Sequence, residues 1–162
     1  MDNQQKDPAL PFAHPAFLLG TILGVGRIPF APGTCASFVS LVIGWFVTGS
    51  LGHGAIALLA LLFIPIGIWA TNICIDASES SDPPAVVIDE VVAMWAILAF
   101  VPHEVIFYGL GFLLFRAADI LKPWPIRQFE RRVSGSIGVM ADDWLAAAYA
   151  LAGVYVVKFA IG

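Results

Sequence analysis

Six acids in this chain stand in or beside apolar runs: Asp82, Asp89, Glu90, Asp119, Asp142 and Asp143. Arg116 and Lys122 flank one of them. A carboxylate in apolar surroundings costs on the order of several kcal/mol unless something compensates it. A divalent cation is one such compensation. Mg²⁺ takes about six oxygen ligands and keeps several waters, so two or three carboxylates are enough to hold it. Bases beside such a cation suit a phosphate.

Each stretch has a chemical and a structural reading. In "SDPPAVVIDE", residues 81–90, Pro83-Pro84 stops any helix. Asp82 is therefore expected in a loop or at an N-cap, with Asp89 and Glu90 one to two turns into the next helix. Capping and the helix dipole explain Asp82 but not the deeper pair. Ionisable residues at membrane depth are functional candidates. In "FRAADILKPWPI", residues 115–126, Arg116, Asp119 and Lys122 fall at i, i+3 and i+6 on a helix expected to end by Pro123. They form either an interfacial salt-bridge ladder anchored by Trp124, or phosphate ligands (Arg116, Lys122) beside a metal- or water-binding Asp119. In "MADDWLAA", residues 140–147, Asp142-Asp143 are expected to open the last span, where one could serve as a cap. "GVGRIPFAPGT", residues 24–34, is a rigid turn whose N–H groups, with Gly33 and Thr34 at the next helix start, could bind an anion or simply position that helix. His14, His53 and His103 are isolated.

The elements that position these residues belong to a membrane. Of 162 residues, 59% are hydrophobic and 12% charged, against about 25% charged in soluble domains. Mean hydropathy is +0.87. Residues 1–11 read as polar, without a signal-peptide pattern. Cys35 and Cys74 form no metal or disulfide framework. Spans are predicted at 35–52, 54–73 with a kink at Pro65, and 144–161. The runs 86–101 and 104–118 predict a short hairpin, His53 a tight turn, and 12–23 an interfacial or re-entrant segment. The fold class is thus an all-α membrane bundle of about four to five membrane helices, one domain over residues 1–162.

With a cytoplasmic N-terminus, the loops at 1–34, 74–85 and 116–143 share one face. They carry Lys6, Arg27, Arg116, Lys122, Arg127, Arg131 and Arg132, and only Lys158 lies toward the other face. The basic segment 126–135 suits anionic lipid headgroups.

Together, GVGRIPFAPGT, DPPAVVIDEVVAMW, FRAADILKPWPI and GVMADD, in this order, resemble the phosphatidylglycerophosphatase A family over roughly residues 18–150. The resemblance implies a small helical inner-membrane enzyme that uses Mg²⁺ to remove the terminal phosphate from phosphatidylglycerophosphate. It places Pro32, Gly33, Thr34, Asp82, Asp89, Glu90, Arg116, Asp119, Lys122, Pro123, Asp142 and Asp143 on motif positions. Ala36, Ala93 and Pro84 depart from the family pattern and bear on helix packing. The resemblance implies Asp82, Asp89, Glu90 and Asp143 as metal ligands. It implies Asp89, Glu90, Asp119, Asp142 and Asp143 as catalytic residues, and Gly33, Thr34, Arg116 and Lys122 as substrate-binding residues. Arg116 and Lys122 are expected to help compensate Asp89 and Glu90. Direct attack by a carboxylate or by Thr34 stays open beside attack by water.

Cys-x5-Arg, Asp-x-Asp, paired-histidine and Asp-Gly phosphotransfer motifs are all absent from the sequence. The expected partners are the lipid substrate and the bilayer, not nucleic acid. Two rival classes are a small ion- or proton-coupled transporter, which would want acids near mid-span, and a non-catalytic membrane-assembly protein.

Overall fold

The computed structural model describes residues 8–161. Lys6, used above for orientation, lies outside them. Among the described residues there are seven α-helices and no strand. They are α1 (Pro15–Gly20), α2 (Pro32–Leu51), α3 (His53–Asp76), α4 (Ile88–Leu98), α5 (Val105–Leu121), α6 (Ile126–Glu130) and α7 (Ser136–Ile161). Three of these, α2, α3 and α7, are long and apolar enough to cross a membrane.

The bundle is built for lipid rather than water. Helix α2 buries Gly33, Ala36, Ser37, Ser40, Gly44 and Thr48 and turns Phe38, Val42, Ile43 and Phe46 outward. In lipid the outside is as apolar as the inside, so burying large side chains gains little. Small residues instead let helices approach closely. Ala36 and Ala93, the two departures from glycine, are both fully buried in the core. The interface of α2 with α4 also carries hydrogen bonds: Ser40 Oγ donates to the Val91 carbonyl (3.2 Å), and Trp95 Nε1 donates to the Ser40 carbonyl (3.2 Å).

Helix α4 is the axis. Nine of its eleven residues are buried, and it packs against α2, α3, α5 and α7. Eleven residues rise only roughly 16 Å, about half the hydrocarbon thickness. Its continuous apolar run reflects enclosure by other helices, not contact with lipid. The predicted hairpin is present as α4 and α5. The turn predicted at His53 is made by Gly52, whose φ of 81° suits glycine, and His53 already belongs to α3. Pro65 sits inside the continuous α3. The 12–23 run holds the short α1, packed on α3 with Ala16, Phe17 and Gly20 buried.

Two expectations about helix starts are corrected. Asp89 and Glu90 lie in the first turn of α4, not one to two turns in, because residues 83–87 stay non-helical after the proline pair. Asp82 lies in the loop, one of the two places expected for it, and Val87 is the N-cap. Asp142 and Asp143 do not open the last span. Helix α7 starts at Ser136, just after Gly135 at φ 79°, so both acids lie about two turns inside it and neither is a cap.

The turn at 20–26 is fastened to the strip at 85–87. Val87 N–H donates to the Gly20 carbonyl (2.8 Å), and a Cβ on Gly26 would sit 1.9 Å from the Ala85 carbonyl oxygen. Since neither partner is a flexible side-chain tip, Gly26→Ala should push the two strips apart. The expected loss is about 1–3 kcal/mol, as for other overpacked sites. Thermal unfolding in detergent measures it, and wild-type stability in the variant would refute this close approach.

The three histidines have structural roles. His14 Nδ1 accepts from Ala16 N–H (3.2 Å) at the start of α1. At the far end of the bundle, His53 bonds the Val101 carbonyl and His103 bonds the Trp45 carbonyl.

Candidate active site

The starts of α2, α4 and α7 and the ends of α3 and α5 meet at one end of the bundle, because successive long helices run up and down. There they enclose a cavity of about 350 Å³. Its wall holds Gly33 and Thr34 from α2, Asp82 from the loop, and Asp89 and Glu90 from α4. Arg116 and Asp119 come from α5, Lys122 from its C-cap, and Asp142 and Asp143 from α7. All ten residues singled out in sequence as catalytic, substrate-binding or metal-binding face this one space. Pro123 lies beside it, in a neighbouring groove.

Asp89, Glu90 and Asp143 each offer an oxygen within 4.8 Å of the others. Asp82 is outside this group although it faces the same cavity. Asp89 and Asp143 are buried, and Asp89 Oδ1, Glu90 Oε2 and Asp143 Oδ2 are enclosed without a hydrogen-bond partner. Three ionised carboxylates this close repel by on the order of 3 kcal/mol per pair at an effective dielectric of 20. The α4 dipole returns only about 0.3–1 kcal/mol per charge. Unpartnered buried oxygens in a native fold call for an ion or water. The donor set, all hard oxygen, fits Mg²⁺.

Arg116 is the nearest positive charge. Its Nη1 pairs with Asp119 Oδ2 at 2.9 Å, lies 3.8 Å from Glu90 Oε1, and donates to Ser37 Oγ at 3.4 Å. Its Nε has no partner. Lys122 does not compensate Asp89 or Glu90 as expected. Its Nζ pairs instead with Asp142 Oδ2 (2.8 Å) and Glu130 Oε1 (2.6 Å). The reason is local: α5 ends at Leu121, and Lys122 leaves the helix in a left-handed conformation (φ 43°), so it falls off the stripe of Arg116 and Asp119. Partial burial would lower the Lys122 pKa, but the hydrogen bonds to Asp142 and Glu130 outweigh it and hold the ammonium above its usual value. Tyr149 on α7 donates its hydroxyl to the Trp124 carbonyl and secures this turn.

Two contributors escaped the sequence reading. Ser37 falls one turn after Gly33 on the small inward stripe, which is the signal that could have found it. Glu130 sits eight residues after Lys122 across a turn, and no periodicity marks it.

The cavity is backbone-lined on one side. The first-turn N–H groups of Gly33 and Thr34 have no carbonyl a turn earlier to bond. Ala31, the N-cap, holds a left-handed φ of 46°. A Cβ on Gly33 would lie 2.0 Å from Glu90 Oε1 and 3.3 Å from Arg116 Nη1.

The family profile described as phosphatidylglycerophosphatase A matches residues 18–158. The chain belongs to the phosphatidylglycerophosphatase A family. Among curated relatives, the Escherichia coli phosphatidylglycerophosphatase A is 33% identical over 147 residues, 88% of this chain and 85% of that protein. The Haemophilus influenzae phosphatidylglycerophosphatase A is 33% identical, over 90% of each chain. A Bacteroides thetaiotaomicron protein, provisionally named a phosphatidylinositol-3-phosphatase, is 37% identical over 92% of this chain and 99% of its own. No solved structure matches. Membership in the phosphatidylglycerophosphatase A family makes this chain a phosphatase, and its apolar helices make it a membrane protein.

Proposed function

We propose that this chain hydrolyses the terminal phosphate monoester of phosphatidylglycerophosphate to phosphatidylglycerol and phosphate, with Mg²⁺, at the cytoplasmic face of a bacterial inner membrane. The observation that carries this reading is the set of three converging carboxylates, each with one buried oxygen that has no hydrogen-bond partner, facing Arg116 and an open helix start across one cavity. Both relatives named phosphatidylglycerophosphatase A support the substrate. A transporter would want its acids near mid-span, whereas these gather at one end.

Asp89, Glu90 and Asp143 would hold Mg²⁺, which when bound supplies positive charge to the phosphate oxygens and makes a water more acidic. Phosphate-monoester hydrolysis is among the slowest uncatalysed reactions, so charge stabilisation must supply most of the acceleration. Arg116 and the Gly33-Thr34 N–H groups receive the phosphate oxygens. Asp119, already paired with Arg116, orients the attacking water. As the water oxygen bonds to phosphorus, the bond from phosphorus to the glycerol oxygen breaks, and the water's proton passes to a carboxylate. The leaving alkoxide takes up a proton in turn. Lys122 is bound to Asp142 and Glu130, and an arriving phosphate would exchange for one of these acids.

Purified protein should release phosphate from phosphatidylglycerophosphate, stop on chelation and resume with Mg²⁺. Phosphatidylinositol 3-phosphate belongs in the same assay, given the Bacteroides relative. Full turnover in chelated enzyme refutes the metal; turnover only of the inositol lipid refutes the substrate.

Orientation is checked with engineered cysteines, since Cys74 is buried. In a background lacking Cys35 and Cys74, Ser134→Cys lies at the site end and Ser50→Cys at the far end, both exposed. An impermeant thiol reagent should label position 134 in inverted vesicles and position 50 in spheroplasts. The reverse pattern would put the site outside.

A further inference from the structure

Beside the active-site cavity lies a second, more open groove of about 560 Å³ whose wall includes Lys122, Trp124, Arg127, Gln128 and Arg131. Lys122 lines both spaces, so the two abut there. Arg127 and Arg131 are four residues apart, on one face of α6 and its C-cap, and both are exposed. Neither has a salt bridge among the described residues, whereas Lys122 and Arg116 both do. Leu121 and Trp124 add exposed apolar surface on the same wall. The groove thus combines free guanidinium groups, an indole and an aliphatic edge, and opens beside the reacting phosphate's place.

We propose that this groove is a substrate subsite in which Arg127 and Arg131 bind the lipid's second phosphate, the phosphodiester that joins the glycerol headgroup to the diacylglycerol. This rests on the reading of the active site above. A phosphatidylglycerophosphate molecule carries two phosphates separated by one glycerol. With the monoester facing Arg116 and the carboxylates, the diester must leave the cavity on one side. The Asp82 side is lined by Glu130 and Asp142 and repels a second anion. The Lys122 side offers two unpaired cations. Arg127 and Arg131 therefore determine specificity, distinguishing a lipid phosphate from a small phosphate monoester, while the bond-breaking groups stay in the first cavity.

The test uses the full chain in a neutral, non-ionic detergent, comparing wild type with an Arg127→Gln/Arg131→Gln double variant. Dihexanoyl phosphatidylglycerophosphate presents monoester and diester, glycerol 3-phosphate the monoester alone, and dihexanoyl phosphatidylglycerol the diester alone. The ratio of kcat/KM for the first substrate to that for the second should fall about tenfold or more, mostly through KM. Calorimetric binding of dihexanoyl phosphatidylglycerol should weaken by a similar factor. Both side chains are exposed, and circular dichroism checks that the fold is kept. An unchanged ratio in detergent overturns the proposal, and a parallel assay on anionic vesicles that alone shows a loss would then assign the arginines to bulk membrane binding. If wild type releases no phosphate from the lipid substrate, the proposed function fails, and the calorimetric comparison alone decides the groove.

Discussion

Asp89→Asn should lower phosphate release by more than about a hundredfold, because mutation of groups merely supporting a metal ligand already costs about 10–100-fold. The same variant should be more stable than wild type in chelator. Asp89 is buried within 4.8 Å of acceptor oxygens on Glu90 and Asp143, so neutralising it removes repulsion and a desolvated charge at nearly constant shape. The melting temperature in chelator should rise by several degrees, at about 2–4 °C per kcal/mol for a chain of this size. Added Mg²⁺ should narrow that gap by stabilising wild type more. Glu79→Gln, exposed and outside the cavity, is the control and should stay within about twofold of wild type. An Asp89→Asn enzyme that is active, or less stable in chelator, would refute the three-carboxylate site.

Gly33→Ala should be nearly as damaging, although it adds one methyl group and removes no charge. The new Cβ would lie 2.0 Å from Glu90 Oε1, so the Glu90 carboxylate must swing away or α2 must retreat. The first movement shifts a cavity-lining carboxylate and the second the Gly33-Thr34 N–H groups, by about an ångström in either case, and a misplacement of that size can cost about a hundredfold in rate. The reading is kcat and apparent Mg²⁺ affinity together. A variant with normal kcat and normal Mg²⁺ dependence would show that Glu90 does not need the space above Gly33.

The reason these residues could be found in sequence is physical. Asp89 and Glu90 stand out because an apolar stretch has no structural use for two adjacent acids. The gathering at one end follows from helices that alternate in direction. What stayed hidden depends on where helices begin. Hydropathy starts the last span at 144, but backbone geometry at Gly135 starts α7 at Ser136, and so turns Asp142 and Asp143 from end groups into wall groups. Partner choice was hidden too. Lys122 looks like a continuation of the Arg116–Asp119 stripe, yet one left-handed residue redirects it to Asp142 and Glu130. Such single dihedral angles leave no periodic trace.

The order of the three carboxylates along the chain carries a consequence for biosynthesis. Asp89 and Glu90 are made with α4, in the middle of the chain, while Asp143 arrives on α7, the last helix. A ribosome that has released only residues up to 135 has supplied two of the three carboxylates. It has also supplied Arg116 and the turn at Gly33, but not the wall that encloses them. The nascent bundle can therefore anchor and pair its helices while its reaction centre is still open and incomplete. If Asp143 completes the proposed site, hydrolytic competence comes with the final helix, and synthesis itself delays the chemistry until the membrane fold is closed.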